Sequence, residues 1–564
     1  MPHALSALLL SCLLLPQAAP PSPRDDLLQF VPDDAAFVVL AERLDTRMAA
    51  LGESPFAQAL RKTSLPGLAR TKEWQELLKV QEYLRKNLDI DPAELAEVIP
   101  GERMAFVYRM GPADKPEQEQ GMFLLRTRNP EALRKLLDRL NEAQKKAGEL
   151  RELQTLEHLG VKYVRRVERT DTNFYLLRGS LLVFTGQEAI LKDAIASERD
   201  RKAGESGRFS KLRSSLRDDQ SCVHFLLNAR AFDETFSAQA RKDPGSKTVA
   251  DYWKALEALY FSVAVQQDFT LRLHLQGDPR KLPAAGQRFF SAPARVSEVW
   301  SRMPEQTLFA MGNRVDVASL YAMLGEFTPA DLRDSSEKEL ERTVGALIGR
   351  GVVKEVLPAL GPDWGLYALA APSDSRELFP RLLFAMRLET SAIEGIDEAL
   401  LDAVHAWTQL AILAHNKLHP DQPARSRVRI IDKVRVRVVE GLPYHLLPAY
   451  GLREGFLVVT SHADEIARFK ASKRTTPRAV PLLRLSFGGW REHLTLRRDA
   501  WIDLLMRRDN LNRETATQRL DDLLAGLKLL ERLELTHETA PGRATFTLTL
   551  TPTLALTREK ASRP

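Results

Sequence analysis

The sequence predicts an α+β fold arranged as two tandem repeats, each an antiparallel sheet packed with helices. Three observations carry this expectation. Val31-Pro32-Asp33-Asp34-Ala35-Ala36-Phe37, leading to Arg43-Leu44-Asp45, returns as Met303-Pro304-Glu305-Gln306-Thr307-Leu308-Phe309, leading to Arg314-Val315-Asp316. Gly179-Ser180-Leu181-Leu182-Val183-Phe184-Thr185 returns as Glu454-Gly455-Phe456-Leu457-Val458-Val459-Thr460, so the offset is 272 residues at Val31/Met303 and 275 at Thr185/Thr460. Helical stripes also fall between pairs of strands instead of between single strands. That order belongs to antiparallel hairpins and argues against a doubly wound parallel sheet. At 564 residues the chain is too long for one ordinary core, and two units of about 250 residues each fit the usual range of domain sizes.

The chain opens with an apolar run from Ala4 to Leu15, followed by Pro16-Gln17-Ala18-Ala19 and a Pro-rich, charged stretch. This is the pattern of an export signal, placed at residues 1–23, with a short uncut anchor as the alternative. The run falls short of the roughly 20 apolar residues of a spanning helix, and no later segment reaches that length. The mature chain is therefore expected to carry no transmembrane span and to lie in the periplasm or outside the cell. Leu9-Leu10-Ser11-Cys12 is a loose lipobox, but Leu13, Leu14 and Leu15 continue the apolar run past the cysteine, which argues against a lipid anchor at Cys12. Without Cys12 the only cysteine is Cys222, so no intramolecular disulfide forms and no Cys-x-x-Cys zinc site exists.

Repeat 1 is placed at residues 24–276 and repeat 2 at 298–556. Each opens with a Pro-initiated strand, at 35–41 and 307–312, because proline is tolerated where no ladder bond is lost. In repeat 1 a helix with Trp74, Leu77, Leu78, Leu84 and Leu88 on one face comes next. Paired strands follow at 103–110 with 121–127, and at 365–371 with 381–388. Leu133, Leu136, Leu137 and Leu140 then form one helical stripe, and Leu400, Leu401, Val404 and Trp407 form another. Strands at 161–168 and 174–185 are matched by 434–439 and 455–460. The first repeat closes on strands at 260–266 and 270–275, the second on 533–537 and 544–550 around Ala540-Pro541-Gly542. The Pro- and Gly-containing stretch 277–297 reads as the linker, and 557–564 as a flexible tail.

The Pro-Asp strand opener, the Gly160-Val161-Lys162-Tyr163 strand and the Gly-x-Leu-Leu-Val-x-Thr segment resemble a group of exported bacterial proteins. These share a domain of unknown function and are common in planctomycete-type genomes. The resemblance covers most of both repeats and implies export and a repeated α+β unit, but no substrate. The second repeat departs from it at the glycine, with Asp432-Lys433 in its place.

Composition narrows the function classes. The 81 basic and 75 acidic side chains nearly cancel, leaving a net charge of +6, which permits only local patches and argues against nucleic acid. Asp45 and Asp316 precede helical sequence and read as caps, as do Thr185 with Glu188 and Ser461 with Asp464. His415 and His419 have the spacing that puts two imidazoles on one helix face, with Asp421 nearby. They lack the Glu of a His-Glu-x-x-His motif, and Pro420 stops the helix, so no metal is expected. Ser335-x-x-Lys338 lacks its companion elements, and Gly345 to Gly351 has the wrong glycine order for a dinucleotide loop. Neither catalytic residues nor a cofactor are expected.

One pattern stands out. Arg427, Arg429, Lys433, Arg435 and Arg437 alternate with Val428, Ile430, Val434, Val436 and Val438. Period-two alternation predicts cations on one strand face and aliphatics on the core face. Such a ladder suits phosphates or carboxylates of an anionic envelope polymer, anionic lipid head groups, or another envelope protein. It also suits a solvated face or a guarded sheet edge. The expected function is a non-catalytic binding or scaffold component of the cell envelope. The alternatives are an envelope hydrolase with a site between the repeats, or a carrier of an apolar ligand.

Overall fold

A computed structural model describes residues 27–43 and 103–553, leaving out 113–114, 116–117, 203–206, 217, 219, 244, 292–293, 391–392 and 473–478, and adds Glu82 and Arg85. The expected export signal, Cys12, Asp45, the Trp74–Leu88 stripe as a whole and the 557–564 tail lie outside the described residues. No helix among the described residues is long and apolar enough to cross a membrane. The chain forms two compact units. Unit 1 holds the described residues up to 243 together with Leu256–Gly277, and unit 2 holds Gly245–Ala255 and Asp278–Thr553.

Unit 1 is built on ten strands: β1 (Phe37–Glu42), β2 (Arg103–Arg109), β3 (Gln120–Arg126), β4 (Leu150–His158), β5 (Val161–Glu168), β6 (Thr172–Arg178), β7 (Leu181–Thr185), β8 (Val223–Asn228), β9 (Leu256–Val265) and β10 (Phe269–Gly277). All pairings within it are antiparallel, in the order β4-β5-β6-β7-β3-β2-β1-β8-β9-β10. The expected strand at 174–185 is thus two strands, broken by Gly179-Ser180, where Gly179 takes φ 57°. Strands β4 and β8 were not legible: β4 is almost wholly exposed, and two of the three buried positions of β8 are the polar His224 and Asn228.

Unit 2 has β11 (Phe309–Arg314), β12 (Leu360–Leu369), β13 (Arg381–Leu388), β14 (Arg425–Ile431), β15 (Val434–Glu440), β16 (Ala449–Arg453), β17 (Phe456–Thr460), β18 (Val480–Ser486), β19 (Leu530–Ala540) and β20 (Arg543–Pro552). Their order is β14-β15-β16-β17-β13-β12-β11-β18-β19-β20, again antiparallel throughout. Each strand of unit 1 therefore has a counterpart ten places later. Registers correspond as well: Phe37 opposes Tyr108 as Phe309 opposes Ala368, and Met122 opposes Thr185 as Leu383 opposes Thr460. The offset is 260 at Tyr108/Ala368, so the spacing varies along the chain while the order holds.

Helices cover both faces of each sheet. In unit 1, α1 (Pro130–Lys146) starts at Asn129, whose side chain accepts from the Ala132 N–H, with Pro130 in the first turn, where its missing donor costs nothing. It buries Leu133 against Met104, Leu125 and Leu182. On the other face α2 (Glu188–Lys202) and α3 (Arg208–Leu216) bury Ile190, Leu191 and Phe209 against Val38, Leu40, Leu124 and Val183. A further helix, α4 (Asp233–Lys242), follows β8.

The stretch expected as a linker, 277–297, instead carries helical structure at Pro279–Lys281 and Ala284–Ser291 among its described residues. Gly277 ends β10, and α6 (Ala284–Ser291) packs on α7 (Val317–Glu326). Residues from the first repeat's span join it: α5 (Ser246–Trp253) carries Tyr252, whose hydroxyl donates to Glu326 Oε2 at 2.6 Å. Helix α8 (Ala330–Leu340) comes next, and α9 (Ile396–Leu418) then covers one sheet face. Helices α10 (Phe487–Leu496), α11 (Arg498–Asp509) and α12 (Arg513–Leu527) connect β18 to β19.

Candidate binding surface on the second unit

Strands β14 and β15 form a hairpin closed by two residues, Asp432 and Lys433, with φ 48° and 64°. Two left-handed residues match the twist of the flanking strands, which is why glycine and asparagine favour this turn. Leu159-Gly160 makes the corresponding turn in unit 1, with φ 51° and 78°. Unit 2 keeps the turn without the glycine. Asp432 anchors it by accepting from Arg453 Nη2 at 2.7 Å and Lys470 Nζ at 2.9 Å. Those hydrogen bonds hold its carboxyl down to about 2.

The hairpin corrects the cationic ladder. A two-residue turn pairs odd positions with even ones: Arg427 opposes Val438, Arg429 opposes Val436, and Arg437 opposes Val428. Opposed residues share a face. Arg427 and Arg429 therefore stand on the face of Val436 and Val438, while Arg435 and Arg437 stand on the other with Val428 and Ile430. The five cations do not form one row. Alternation places all five on one face only along a continuous strand, and the two-residue turn reverses its phase.

Their environments also differ. Arg427 and Arg429 are exposed and both meet Glu440, Arg427 at 3.4 Å. Arg437 is half-buried, with Nη1 donating to His405 Nε2 at 2.9 Å and Nη2 4.0 Å from Asp402. His405 donates from Nδ1 to the Tyr450 hydroxyl at 2.8 Å. Burial, then the Arg437 charge, lowers the His405 pKa, consistent with this neutral tautomer. Arg437 thus clamps α9 to the sheet. Lys433 and Arg435 are exposed and have no ion-pair partner among the described residues.

The aliphatic side of the pattern is corrected too. Val436 and Val438 are buried, but Val428 is 50% exposed and Ile430 78%. Strand β14 pairs only with β15 among the described strands, so little packs over its outer half. Trp407, expected in the buried stripe of α9, is 60% exposed, with Leu410 at 56%, Leu413 at 70% and Leu418 at 75%. Periodicity identifies an apolar stripe but not how much of it is covered.

Two buried polar clusters escaped the sequence reading, since each gathers residues from separate strands and loops. In unit 1, Asp218 Oδ2 accepts from Ser221 at 2.7 Å, Ser262 at 2.5 Å and Tyr260 at 3.3 Å, while Arg272 donates to Oδ1 at 3.0 Å. Tyr260 also meets His224 Nδ1 at 2.6 Å, and His224 leads on to Glu42, which Arg103 holds at 3.0 Å and Arg213 also pairs. Burial pushes both carboxyl pKa values up. For Asp218 the hydrogen bonds from Ser262 and Ser221, then Arg272, outweigh it; for Glu42, His224 and the two arginines do so. Both end below the ordinary value.

In unit 2, Arg381 grips Glu377 through two bonds of 2.8 and 2.6 Å and reaches Glu465 at 3.0 Å. His462 Nε2 lies 3.3 Å from Glu377, and burial depresses its pKa. Beside this cluster an open cleft of ≈ 350 Å³ is lined by Arg376, Arg497, Arg498 and Asp499. Arg497 is engaged with the Glu377, Ala371 and Pro372 carbonyls, and Arg498 with Asp521. The buried carboxylates sit against arginines in both clusters, the arrangement of structural ion pairs.

Asp316 caps α7, accepting from the Ser319 N–H at 3.1 Å. Thr185 does not form a capping box: its hydroxyl donates to the Gly121 carbonyl at 2.7 Å and accepts from the Gln187 N–H. Its counterpart is Thr460, not Ser461, donating to the Leu382 carbonyl at 2.7 Å and accepting from the His462 N–H. The rings of His415 and His419 lie 4.7 Å apart, and His415 Nε2 faces the Gln422 carbonyl. Among the described residues no group of three or more His, Cys, Asp or Glu could hold a metal ion. The chain matches no protein-family model, no curated protein and no solved structure.

Proposed function

We propose that this chain is an exported, non-catalytic binding or scaffold component of the bacterial cell envelope, periplasmic or extracellular. In this reading the β14–β15 hairpin is its contact with anionic envelope material. The observation that carries it is Lys433 and Arg435, exposed at the tip and flank of a hairpin and without carboxylate partners, with Arg427 and Arg429 sharing the single acid Glu440. Arg437 belongs to the scaffold of this site and not to its contact surface. Tandem duplication of one ten-stranded unit is the proposed origin, supported by the matched strand orders and by the Thr185 and Thr460 bonds. Membership of the exported group that the sequence resembles is part of the same proposal.

Inorganic polyphosphate is a suitable probe. Binding is expected to weaken steeply with added salt, because exposed contacts are screened over about 8–10 Å at moderate ionic strength. Lys433→Gln with Arg435→Gln is expected to weaken binding several-fold while leaving the unfolding temperature unchanged, since exposed charges contribute about 0–1 kcal/mol. Equal affinity in that double variant would refute the assignment.

A further inference from the structure

Helix α9 carries one apolar stripe along its whole length, at Ile396, Leu400, Ala403, Trp407, Leu410, Ala414 and Leu418. Steps of three and four residues keep these on one side. The first three are buried beneath the helical turns at Ala346–Ile348 and Val352–Val356. The cover then ends and the stripe does not. From Ala406 to Leu418 the helix has no carboxylate and carries one lysine, Lys417. Val428 and Ile430 lie on the same side of the sheet as α9, because they share a face with Arg437, which bonds to His405 of that helix. Six large apolar side chains half or more exposed thus lie on this side of the sheet, with Lys417 on the helix, Arg435 on the same strand face as Arg437, Lys433 at the hairpin tip, and Asp402 and Asp421 beyond the two ends of the bare segment.

The fold does not require this face to be apolar. Helix α1 holds the corresponding place between β3 and β4, and it exposes Glu131, Arg134, Lys135, Asp138 and Arg139. The bare segment spans about 20 Å at 1.5 Å per residue, too little to cross a bilayer but enough to lie along its surface. Tryptophan and leucine on a helical segment without carboxylates, with lysine and arginine on the same side and Asp432 already paired with Arg453 and Lys470, complement an interface of acyl chains and negative head groups.

We propose that the C-terminal half of α9, together with the outer face of the β14–β15 hairpin, docks on the surface of an anionic phospholipid bilayer. Trp407, Leu410 and Leu418 enter the head-group boundary, and Lys433 and Arg435 contact the phosphates. This rests on the anion-binding reading above and names its partner.

The test is co-sedimentation of the full chain with vesicles of phosphatidylglycerol and phosphatidylcholine in equal parts, beside vesicles of phosphatidylcholine alone. The parent is expected to bind only the anionic vesicles. Trp407→Ser with Leu410→Ser and Leu418→Ser should reduce that affinity about tenfold or more, since burial of large apolar side chains supplies much of interfacial binding. Polyphosphate binding and the unfolding temperature should stay unchanged, because all three side chains are exposed. Comparing parent with variant removes any lipid affinity of residues 4–15, which both share. If the triple variant binds vesicles as the parent does, docking through α9 is wrong. If the parent binds polyphosphate but no vesicles, the lipid partner is wrong and the anion-binding reading survives. A concentration-dependent mass that the triple variant abolishes, without vesicle binding, would assign the face to a second copy and overturn the proposal.

Discussion

Asp218→Asn isolates the electrostatic part of the buried network in unit 1. The carboxylate is only 3% exposed, and four donors converge on it: Ser221, Ser262, Tyr260 and Arg272. The amide has nearly the same shape, so no cavity opens. What changes is the charge that the donors were arranged to meet. Hydrogen bonds to a charged group contribute about 1.5–3 kcal/mol each, against roughly 1 for neutral pairs, so three or four weakened bonds suggest several kcal/mol. Arg272 is 27% exposed and recovers water when its partner is neutralised, which lowers the sum. The expected destabilisation is about 2–4 kcal/mol, below the roughly 3–5 kcal/mol for breaking a fully buried pair.

Native-state hydrogen exchange at the β8 and β9 amides measures this locally, and amides of β12 and β13 serve as a control. The pH dependence supplies a second arm. The Asp218 pKa is depressed in the folded state below its ordinary 3.8. Its contribution is therefore complete above that value and lost as pH falls through the folded pKa. The gap between parent and variant should be constant near neutrality and close below about pH 4. A change under about 0.5 kcal/mol at neutral pH, the range of ordinary surface substitutions, would refute the reasoning, as would a gap unaffected by acid.

Two other substitutions test the architecture. Lys433→Gly removes a side chain from a left-handed position and is expected to stabilise unit 2 by about 1 kcal/mol, read as a raised unfolding temperature; a lowered temperature would mean that the turn is held by the lysine side chain. Arg381→Met removes the paired guanidinium from Glu377 in a buried site, while Glu465 keeps Arg468 at 2.9 Å, and is expected to cost about 3–5 kcal/mol in urea unfolding, whereas an unchanged midpoint would show that the cluster is hydrated.

How much of this was legible from the sequence depended on whether the signal was local. Strand β13 was expected at its observed bounds, and β5 likewise, because each is a short run of apolar alternation closed by turn residues. Strands β4 and β14 gave little, since both are largely exposed and their apolar residues are not confined to one buried face. The supposed linker misled for a related reason: Pro279, Pro283 and Gly286 look like loop residues, yet Pro279 and Pro283 sit at helix starts, where proline is tolerated, and Gly286 leaves room for the Tyr252 ring.

The sequence by itself determined an α+β chain, most of its strands, the antiparallel character of its sheets and the position of one cation-rich stretch. Those follow from periodicity, turn chemistry and composition, all of which act over a few neighbouring residues. Only the tertiary structure decided which cations share a face, because that depends on the parity of a two-residue turn. Only it decided that half of α9 is left bare, because coverage depends on where the segment 346–356 stops. It alone brought Asp218 to Ser262 and Arg381 to Glu465, residues tens of positions apart, whose partnership comes from strand order and register and leaves no pattern along the chain.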